Sequence, residues 1–369
     1  MSKERIYFSP PYISDTEMAA VMDTLRQGWI APVGPQLDQF EESLSQKFQY
    51  PNVLALNSGT AALHLAVRLA GVGAGDRVIV GSFTFVAAAN AVSYERGVPV
   101  FMDSERDTWN LDPGLLNDYL KATQGKASFP KAVIVTHLFG QPAKIEEIAE
   151  ICAQYEVKLI EDAAEALGTT SSGGRFVGGV GDFAALSFNG NKIITTGGGG
   201  ALICKNAADH QRAQSLASQA KMPANHYLHE EMGFNYRLSN VLAGLGLAQL
   251  GRFDEIMERK KARFQRYHQA LKGLPWLTPK EVSGANGWVY PCVMDHEIGV
   301  DELIRRFEAA NIEARRFWRP LHMQPLFSGA EYVGGSVAED LFRKGICLPS
   351  GAGLTFQEMS RVIGVLEKV

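Results

Sequence analysis

The sequence predicts an α/β protein: a mostly parallel sheet covered by helices on both faces, followed by a smaller C-terminal domain. Three observations carry this. Short apolar, β-rich runs alternate with helical patterns from about residue 50 onward, the rhythm of βαβ units. The 369 residues are too many for one small core and suit two unequal domains. After Gly273-Leu274-Pro275 the pattern changes to a second mixed region.

The elements follow in order. A strand at Val53–Leu56 leads to a helix over 60–69, with Leu63, Val67 and Ala70 on one face. A strand at 77–80 precedes a helix over 85–96, and a strand at Val98–Met102 precedes a helix over 112–122. Asp112 is placed to cap that helix and Pro113 to open it. A strand at Ala132–Thr136, a helix over 144–155 and strands at 157–160, 183–188 and 201–204 complete the series. Residues 238–271 read as one long or broken helix, apolar at Val241, Leu242, Leu245 and Leu247 and charged by Glu258, Arg259, Lys260 and Lys261. The domain boundary is placed near residue 250, giving a large domain 1–250 and a small one 251–369 with helices at 301–310 and from Thr355.

Composition excludes several classes. Lys plus Arg number 36 against 40 Asp plus Glu, with signs interleaved, so neither a nucleic-acid nor a membrane-surface partner is expected. Cys152, Cys204, Cys292 and Cys347 are scattered, with no metal-type spacing; reduced thiols in a cytoplasmic protein are expected, and no metal. The start, MSKERIYFSPPYIS, lacks an apolar signal core, and the run 85–92 is far too short for a membrane span. There is no GxxxxGK[ST], HExxH or GxSxG. Gly179-Val180-Gly181-Asp182-Phe183-Ala184 matches GxGxxA but precedes a strand instead of linking strand to helix, the wrong context for a dinucleotide loop.

Open α/β sheets bind ligands at the carboxyl ends of their strands, and four motifs fall there. Asn57-Ser58-Gly59-Thr60 lies between a strand and a helix: its backbone N–H groups and the Thr60 hydroxyl suit an anion, or Ser58 or Thr60 simply caps the helix. Asp162 follows an apolar strand and suits a cation, a metal, a protonated ring nitrogen or a helix cap. Lys192 ends Ser187-Phe188-Asn189-Gly190-Asn191-Lys192, before Gly197–Gly200. Desolvation there would lower its pKa and favour the nucleophilic amine; a plain surface lysine is the alternative. Arg315-Arg316-Phe317-Trp318-Arg319-Pro320-Leu321-His322 combines guanidinium groups and aromatics suited to a diphosphate and a stacked base, or forms a solvated face.

Taken in order, these motifs resemble the sugar-nucleotide aminotransferases of the DegT/StrS type. Ser-Gly-Thr-Ala-Ala-Leu at 58–63, Glu-Asp-Ala-Ala-Glu-Ala at 161–166, Ser-Phe-Asn-Gly-Asn-Lys at 187–192, Gly-Phe-Asn-Tyr-Arg-Leu-Ser-Asn at 233–240 and Arg-Pro-Leu-His-Met-Gln-Pro at 319–325 carry the resemblance over essentially the whole chain. Phe8-Ser9-Pro10-Pro11, the run 190–196 and Gly345-Ile346-Cys347-Leu348-Pro349-Ser350-Gly351 are most similar to the C4 aminotransferases of the N-acetylbacillosamine pathway.

The resemblance implies a fold-type I enzyme dependent on pyridoxal 5′-phosphate (PLP), similar to aspartate aminotransferase and active as a homodimer with shared sites. By this resemblance Lys192 matches the Schiff-base lysine and Asp162 the carboxylate that keeps the pyridine nitrogen protonated. Ser58, Gly59, Thr60 and Ser187 match the phosphate site, Phe85 the stacking aromatic, and Asn235 the asparagine offered to the phosphate across the dimer. Glu165 stands where the family often has Gln near the ring hydroxyl. Arg315, Trp318 and His322 are the expected nucleotide-sugar contacts. L-Glutamate would supply the amine, leaving pyridoxamine phosphate (PMP) and 2-oxoglutarate, with Lys192 as general base. The acceptor would be a nucleotide-linked 4-keto-6-deoxy sugar, by resemblance UDP-linked, with GDP- and dTDP-linked sugars as alternatives. A non-catalytic regulator on a PLP-type fold is expected to lose Lys192 or Asp162, and both are present. Family dehydratases carry histidine in place of this lysine.

Overall fold

The computed structural model describes residues 4–369; the first three residues of the stretch read for a signal lie outside the described residues. The chain opens with two helices that the reading from residue 50 leaves out. Helix α1 (Asp15–Gln27) starts at a reciprocal cap between Ser14 and Glu17. Helix α2 (Pro35–Phe48) buries Leu37, Phe40, Leu44 and Phe48 at helical spacing.

The βαβ series then follows as β1 (Val53–Leu56), α3 (Gly59–Leu69), β2 (Arg77–Gly81), α4 (Ala87–Tyr94), β3 (Val98–Met102), α5 (Pro113–Thr123), β4 (Ala132–Thr136), α6 (Ile145–Gln154), β5 (Lys158–Asp162), β6 (Phe183–Ser187), β7 (Gly200–Cys204) and α7 (Ala207–Ala217). The C-terminal part comprises α8 (Asn240–Gly251), α9 (Phe253–Leu271), β8 (Leu277–Pro279), β9 (Tyr290–Met294), α10 (Gly299–Ala309), β10 (Arg315–Arg316), β11 (Tyr332–Val333), α11 (Val337–Lys344), β12 (Gly345–Leu348) and α12 (Phe356–Leu366).

The large sheet has the order β1-β7-β6-β5-β4-β2-β3-β11. Strands β6 through β11 in that order are mutually parallel; β7 is antiparallel to both β6 and β1. β1 therefore runs in the same sense as β6. Residues alternate between faces, as the two-residue period of a strand demands. Ala132 and Ile134 of β4 pack in the core under α3 and α4. Val133 and Val135 pack oppositely, with Leu116 and Leu120 of α5 and Ile145 and Ile148 of α6. A separate antiparallel sheet, β10-β12-β9-β8, shares its core with α9, α10 and α12.

Two sequence expectations change, and an open one is resolved. The helix expected over 85–96 begins only at Ala87, leaving Phe85 in the preceding loop and half exposed. The strand expected at 157–160 extends to Asp162, because its pairing with β4 continues to Thr136. The stretch 238–271 breaks at Arg252, whose guanidinium turns back to Ser14 and the buried Glu17. That break lies beside the boundary expected at 250, but the chain crosses between the two sheets in both directions. Ile6 bridges to Ile312, while β11 pairs with β3 and Leu321 and Phe327 join the core under α3 and α4.

The N-terminal helices belong to the main core: Phe40 is fully buried and meets Phe188 edge-on at 5.2 Å. Phe40→Ala is expected to cost about 3–5 kcal/mol, read as a lower urea midpoint. A loss below about 1 kcal/mol would separate these helices from the cooperative core.

Candidate active site

Strand direction brings the site together. β1, β2, β4, β5 and β6 point their carboxyl ends to one edge of the sheet, and the antiparallel β7 begins at that edge. Residues 57–60, 84–85, Thr136, Asp162, Ser187 and 198–199 therefore meet around one cleft of about 460 Å³. Lys192, Glu165, Trp288, Arg315 and Trp318 also line it.

One end of the cleft is the N-terminus of α3. Ser58 is its cap: Ala61 N–H donates to Ser58 Oγ at 3.0 Å. Ser58 thus caps the helix and also lines the cleft. The N–H groups of Gly59 and Thr60 precede the first possible intrahelical acceptor, so they and the positive end of the helix dipole face the cleft. The Thr60 hydroxyl has no hydrogen-bond partner among the described residues. Close approach is required here, since a Cβ on Gly200 would stand 2.5 Å from Gly59 N and one on Gly59 3.0 Å from the Ser187 side chain. Ser187 Oγ lies at the same end, where it accepts from Asn189 N–H at 3.4 Å.

The floor carries the charges. Lys192 Nζ stands 3.9 Å from Glu165 Oε1 and 4.0 Å above the Trp288 ring. Burial lowers the pKa of this amine, against the opposing pull of the Glu165 and Asp162 carboxylates. Asp162 is 4% exposed and accepts from Ala164 N–H at 3.2 Å; burial raises its pKa. Burial also pushes Glu165 up to about 7, although Lys192 and a 2.6 Å hydrogen bond from Phe139 N–H favour its ionised form. Neighbouring His137 serves a different carboxylate. Its Nε2 meets Glu161 at 3.0 Å and its Nδ1 lies 3.1 Å from Ala143 N–H, so Nδ1 accepts and Nε2–H donates.

Aromatics frame the mouth. Phe85 and Trp318 lie 5.4 Å apart, and the indole N–H of Trp318 is buried without a partner among the described residues. Arg315 lines the cleft but is held by Glu313 at 2.7 Å. Two expected residues lie elsewhere. His322 is outside the cleft: its Nδ1 is 2.7 Å from buried Ser82 Oγ and its ring stacks on Tyr332 at 3.8 Å. These contacts tether the segment after Trp318. Asn235 is exposed and does not line this chain's cleft; its carbonyl accepts from Asn57 Nδ2 at 3.1 Å.

Sequence reasoning missed Thr84 and Thr136, whose hydroxyls share a 2.9 Å hydrogen bond in the cleft wall. Their positions near strand carboxyl ends were the available signal. It also missed Trp288, which arrives from beyond residue 250 and carries no local mark.

The donor set fits the expected PLP. Free N–H groups at a helix start suit its phosphate, a buried carboxylate suits a protonated pyridine nitrogen, and a desolvated amine suits its carbonyl carbon.

Comparison with known proteins agrees. The profile of the DegT/DnrJ/EryC1/StrS aminotransferase family matches residues 11–367. The "Putative pyridoxal phosphate-dependent aminotransferase EpsN" of Bacillus subtilis is 48% identical, covering 98% of this chain and 95% of its own. GDP-perosamine synthase of Caulobacter vibrioides is 34% identical, covering 99% and 98%. Among solved structures, the PLP form of the "Putative sugar aminotransferase Spr1654" from Streptococcus pneumoniae superposes with a TM-score of 0.89 at 27% identity, over 99% of both chains; the same protein is also known in a PMP form.

The α3 terminus separates a cap from a ligand group. Ser58→Ala is expected to lower stability by about 1 kcal/mol, whereas Thr60→Ala should leave it within about 0.5 kcal/mol. Urea denaturation of both variants checks this; equal losses would place the Thr60 hydroxyl in the cap.

Proposed function

This chain belongs to the DegT/DnrJ/EryC1/StrS aminotransferase family, and from that premise we propose that it moves an amino group from L-glutamate to C4 of UDP-4-keto-6-deoxy-N-acetylglucosamine, for bacterial glycan biosynthesis. The chain is a PLP-dependent sugar aminotransferase of fold type I. The observation that carries the proposal is one largely buried amine, Lys192, beside two buried carboxyls below an open helix N-terminus. The UDP-linked acceptor is favoured by the resemblance of 8–11, 190–196 and 345–351 to the bacillosamine-pathway enzymes. The kinship with GDP-perosamine synthase supports a GDP-linked keto sugar as the second reading.

PLP supplies an electron sink while its ring nitrogen is protonated. In our reading Asp162 keeps that proton in place, and its burial makes the pairing strong. Gly59, Thr60 and Ser187 hold the phosphate, Phe85 covers the ring, and Glu165 lies toward the ring hydroxyl. Lys192 is the attachment point and, once free, the base that takes a proton from the donor's Cα. Its lowered pKa leaves more of the amine unprotonated for that step. Arg315 and Trp318 contact the nucleotide sugar, the latter with a donor already desolvated. Trp29, Ile30 and Val33, all half-exposed, fit a homodimer interface, across which Asn235 of the partner subunit would reach the phosphate.

Two experiments test this reading. Glutamate is supplied with a panel of UDP-, GDP- and dTDP-linked 4-keto sugars. Amination of the UDP-linked N-acetylhexosamine should exceed the others by at least about tenfold in kcat/KM, or about 1.4 kcal/mol; a preference for GDP-linked sugar selects the second reading. Borohydride treatment of the same preparation should fix the pyridoxyl group on Lys192, and label on another lysine removes the assignment.

Shared sites predict complementation. Lys192→Ala and Asn235→Ala chains, each nearly inactive alone, should recover activity on subunit exchange, because one site per heterodimer would then be intact. Absence of recovery would confine Asn235 to its own chain.

A further inference from the structure

The backbone around Asn235 is fixed by its own chain on several sides, while its amide is left uncommitted. Residues 234–237 run extended between two neighbours: Asn235 bridges to Ser218 and Arg237 to Leu56. Phe234 N–H donates to the Leu216 carbonyl at 2.7 Å and Tyr236 N–H to the Ala217 carbonyl at 3.0 Å. Alternate side chains of an extended segment share a face. Phe234 and Tyr236 accordingly stack on each other at 4.8 Å, and Asn235 between them is exposed. Its amide makes no hydrogen bond to any other described residue.

Two residues next to the phosphate site grip this segment. Asn57 precedes Ser58, Gly59 and Thr60 and lines the cleft. It binds two consecutive carbonyls, its N–H donating to Tyr236 at 2.7 Å and its Nδ2 to Asn235 at 3.1 Å. His64 on α3 is 5% exposed. Its Nε2 lies 2.9 Å from Glu95 Oε1, and Glu95 Oε2 accepts from Arg68 at 2.9 Å. Nε2–H therefore donates to that carboxylate, and Nδ1 accepts from the Tyr236 O–H at 3.0 Å. The same ring packs edge-on against Phe234 at 4.9 Å. The helix whose N-terminus faces this chain's cleft thus also holds the residues on both sides of Asn235.

We propose that Asn57 and, through Tyr236, His64 are positioning residues that act in trans: they keep Asn235 where its amide reaches the cofactor phosphate in the partner subunit's cleft. A backbone fixed before binding loses less freedom when its side chain engages. A change at Asn57 then weakens the neighbouring cleft and not the cleft that Asn57 lines. The proposal rests on the shared sites of the proposed function and adds which residues aim the shared asparagine.

The test titrates pyridoxal 5′-phosphate into cofactor-free protein and reads the lysine-linked absorbance, which arises only at clefts that keep Lys192. Asn57→Ala removes the Nδ2 donor and keeps the backbone N–H. It should weaken cofactor binding about three- to tenfold, the worth of about one net hydrogen bond, and leave the binding of phosphate-free pyridoxal unchanged. Subunits are then exchanged with an excess of Lys192→Ala chains, so that nearly every Asn57→Ala chain sits in a heterodimer. The one absorbing cleft of that heterodimer receives Asn235 from a chain with intact Asn57, and its affinity should return to that of wild-type chains exchanged in the same way. Affinity that stays weak assigns Asn57 to its own cleft and overturns the proposal. So does an Asn57→Ala homodimer within about 1.5-fold of wild type, or an equal loss for pyridoxal. If Asn57→Ala does not fold, Tyr236→Phe, which loses only the hydroxyl held by His64, goes through the same exchange with the same expectations. Asn235→Ala is run in parallel. Rescue of Asn235→Ala without rescue of Asn57→Ala leaves the shared sites standing and removes the positioning role; rescue of neither removes the shared sites themselves.

Discussion

An amine taken out of water needs either a counter-charge or a lost proton, and the site depends on how this chain gives Lys192 both options. Burial draws its pKa down, while Glu165 at 3.9 Å and the charge of Asp162 draw it up. Neither influence would be strong in solvent; at ordinary exposure a charge pair at this distance contributes about 1 kcal/mol or less. The sheet creates the exclusion of water. Five strand ends and the start of β7 converge at one edge, and Trp288 covers the Lys192 amine from the other side. Remove the convergence and the three groups become ordinary surface charges.

Much of this was legible in the sequence, for physical reasons that also explain the gaps. Asp162, Ser187 and Gly59 sit next to apolar runs whose strand character is unambiguous, and strand direction fixes where their ends meet. Lys192 was legible because it is the one lysine in an otherwise uncharged stretch bounded by glycines. Trp288 was not, because nothing in Asn286-Gly287-Trp288 states that it will cross the chain to residue 192. The setting of His322 was not legible for a related reason. It sits four residues after Trp318, but Ser82, far away in sequence, determines where its ring points. The helices α1 and α2 were legible in principle, with Ser14 and Glu17 at capping-box spacing, yet their periodicity precedes the βαβ rhythm on which the reading relied.

The second buried lysine shows what distinguishes a reactive amine from a structural one. Lys260 on α9 is 3% exposed, and burial lowers its pKa to about 7. Its Nζ donates to the carbonyls of Trp288 and Ser350 at 2.9 and 3.0 Å. Two of its hydrogens are thus directed at fixed acceptors, and the amine does not line the cleft. Lys192 Nζ has no hydrogen bond of ordinary length to any described residue; its neighbours are a carboxylate at ion-pair distance and a ring face. Low pKa alone therefore does not mark the reactive lysine. An amine must also be left uncommitted by its surroundings.

The two lysines are nevertheless connected through one residue. Lys260 holds the Trp288 carbonyl, Asn286 Oδ1 accepts from the Trp288 N–H at 2.8 Å, and the Trp288 indole N–H donates to the Asn191 carbonyl at 2.7 Å. Asn191 precedes Lys192, so the same indole fixes the backbone before the reactive lysine and lies under its amine. Asn286 Nδ2 in turn donates to the Glu165 and Leu167 carbonyls at 3.0 Å each. Fixed hydrogen bonds therefore lead from α9, through Trp288, to both sides of the Lys192–Glu165 pair. A shift of α9 relative to the large sheet would have to break a hydrogen bond made by a buried lysine, at about 1–3 kcal/mol for the group left unpaired, or move Trp288 with it. The segment that carries Trp288 thus belongs energetically to the active site, although β7, α7, α8, α9 and β8 lie between it and Lys192 in the sequence.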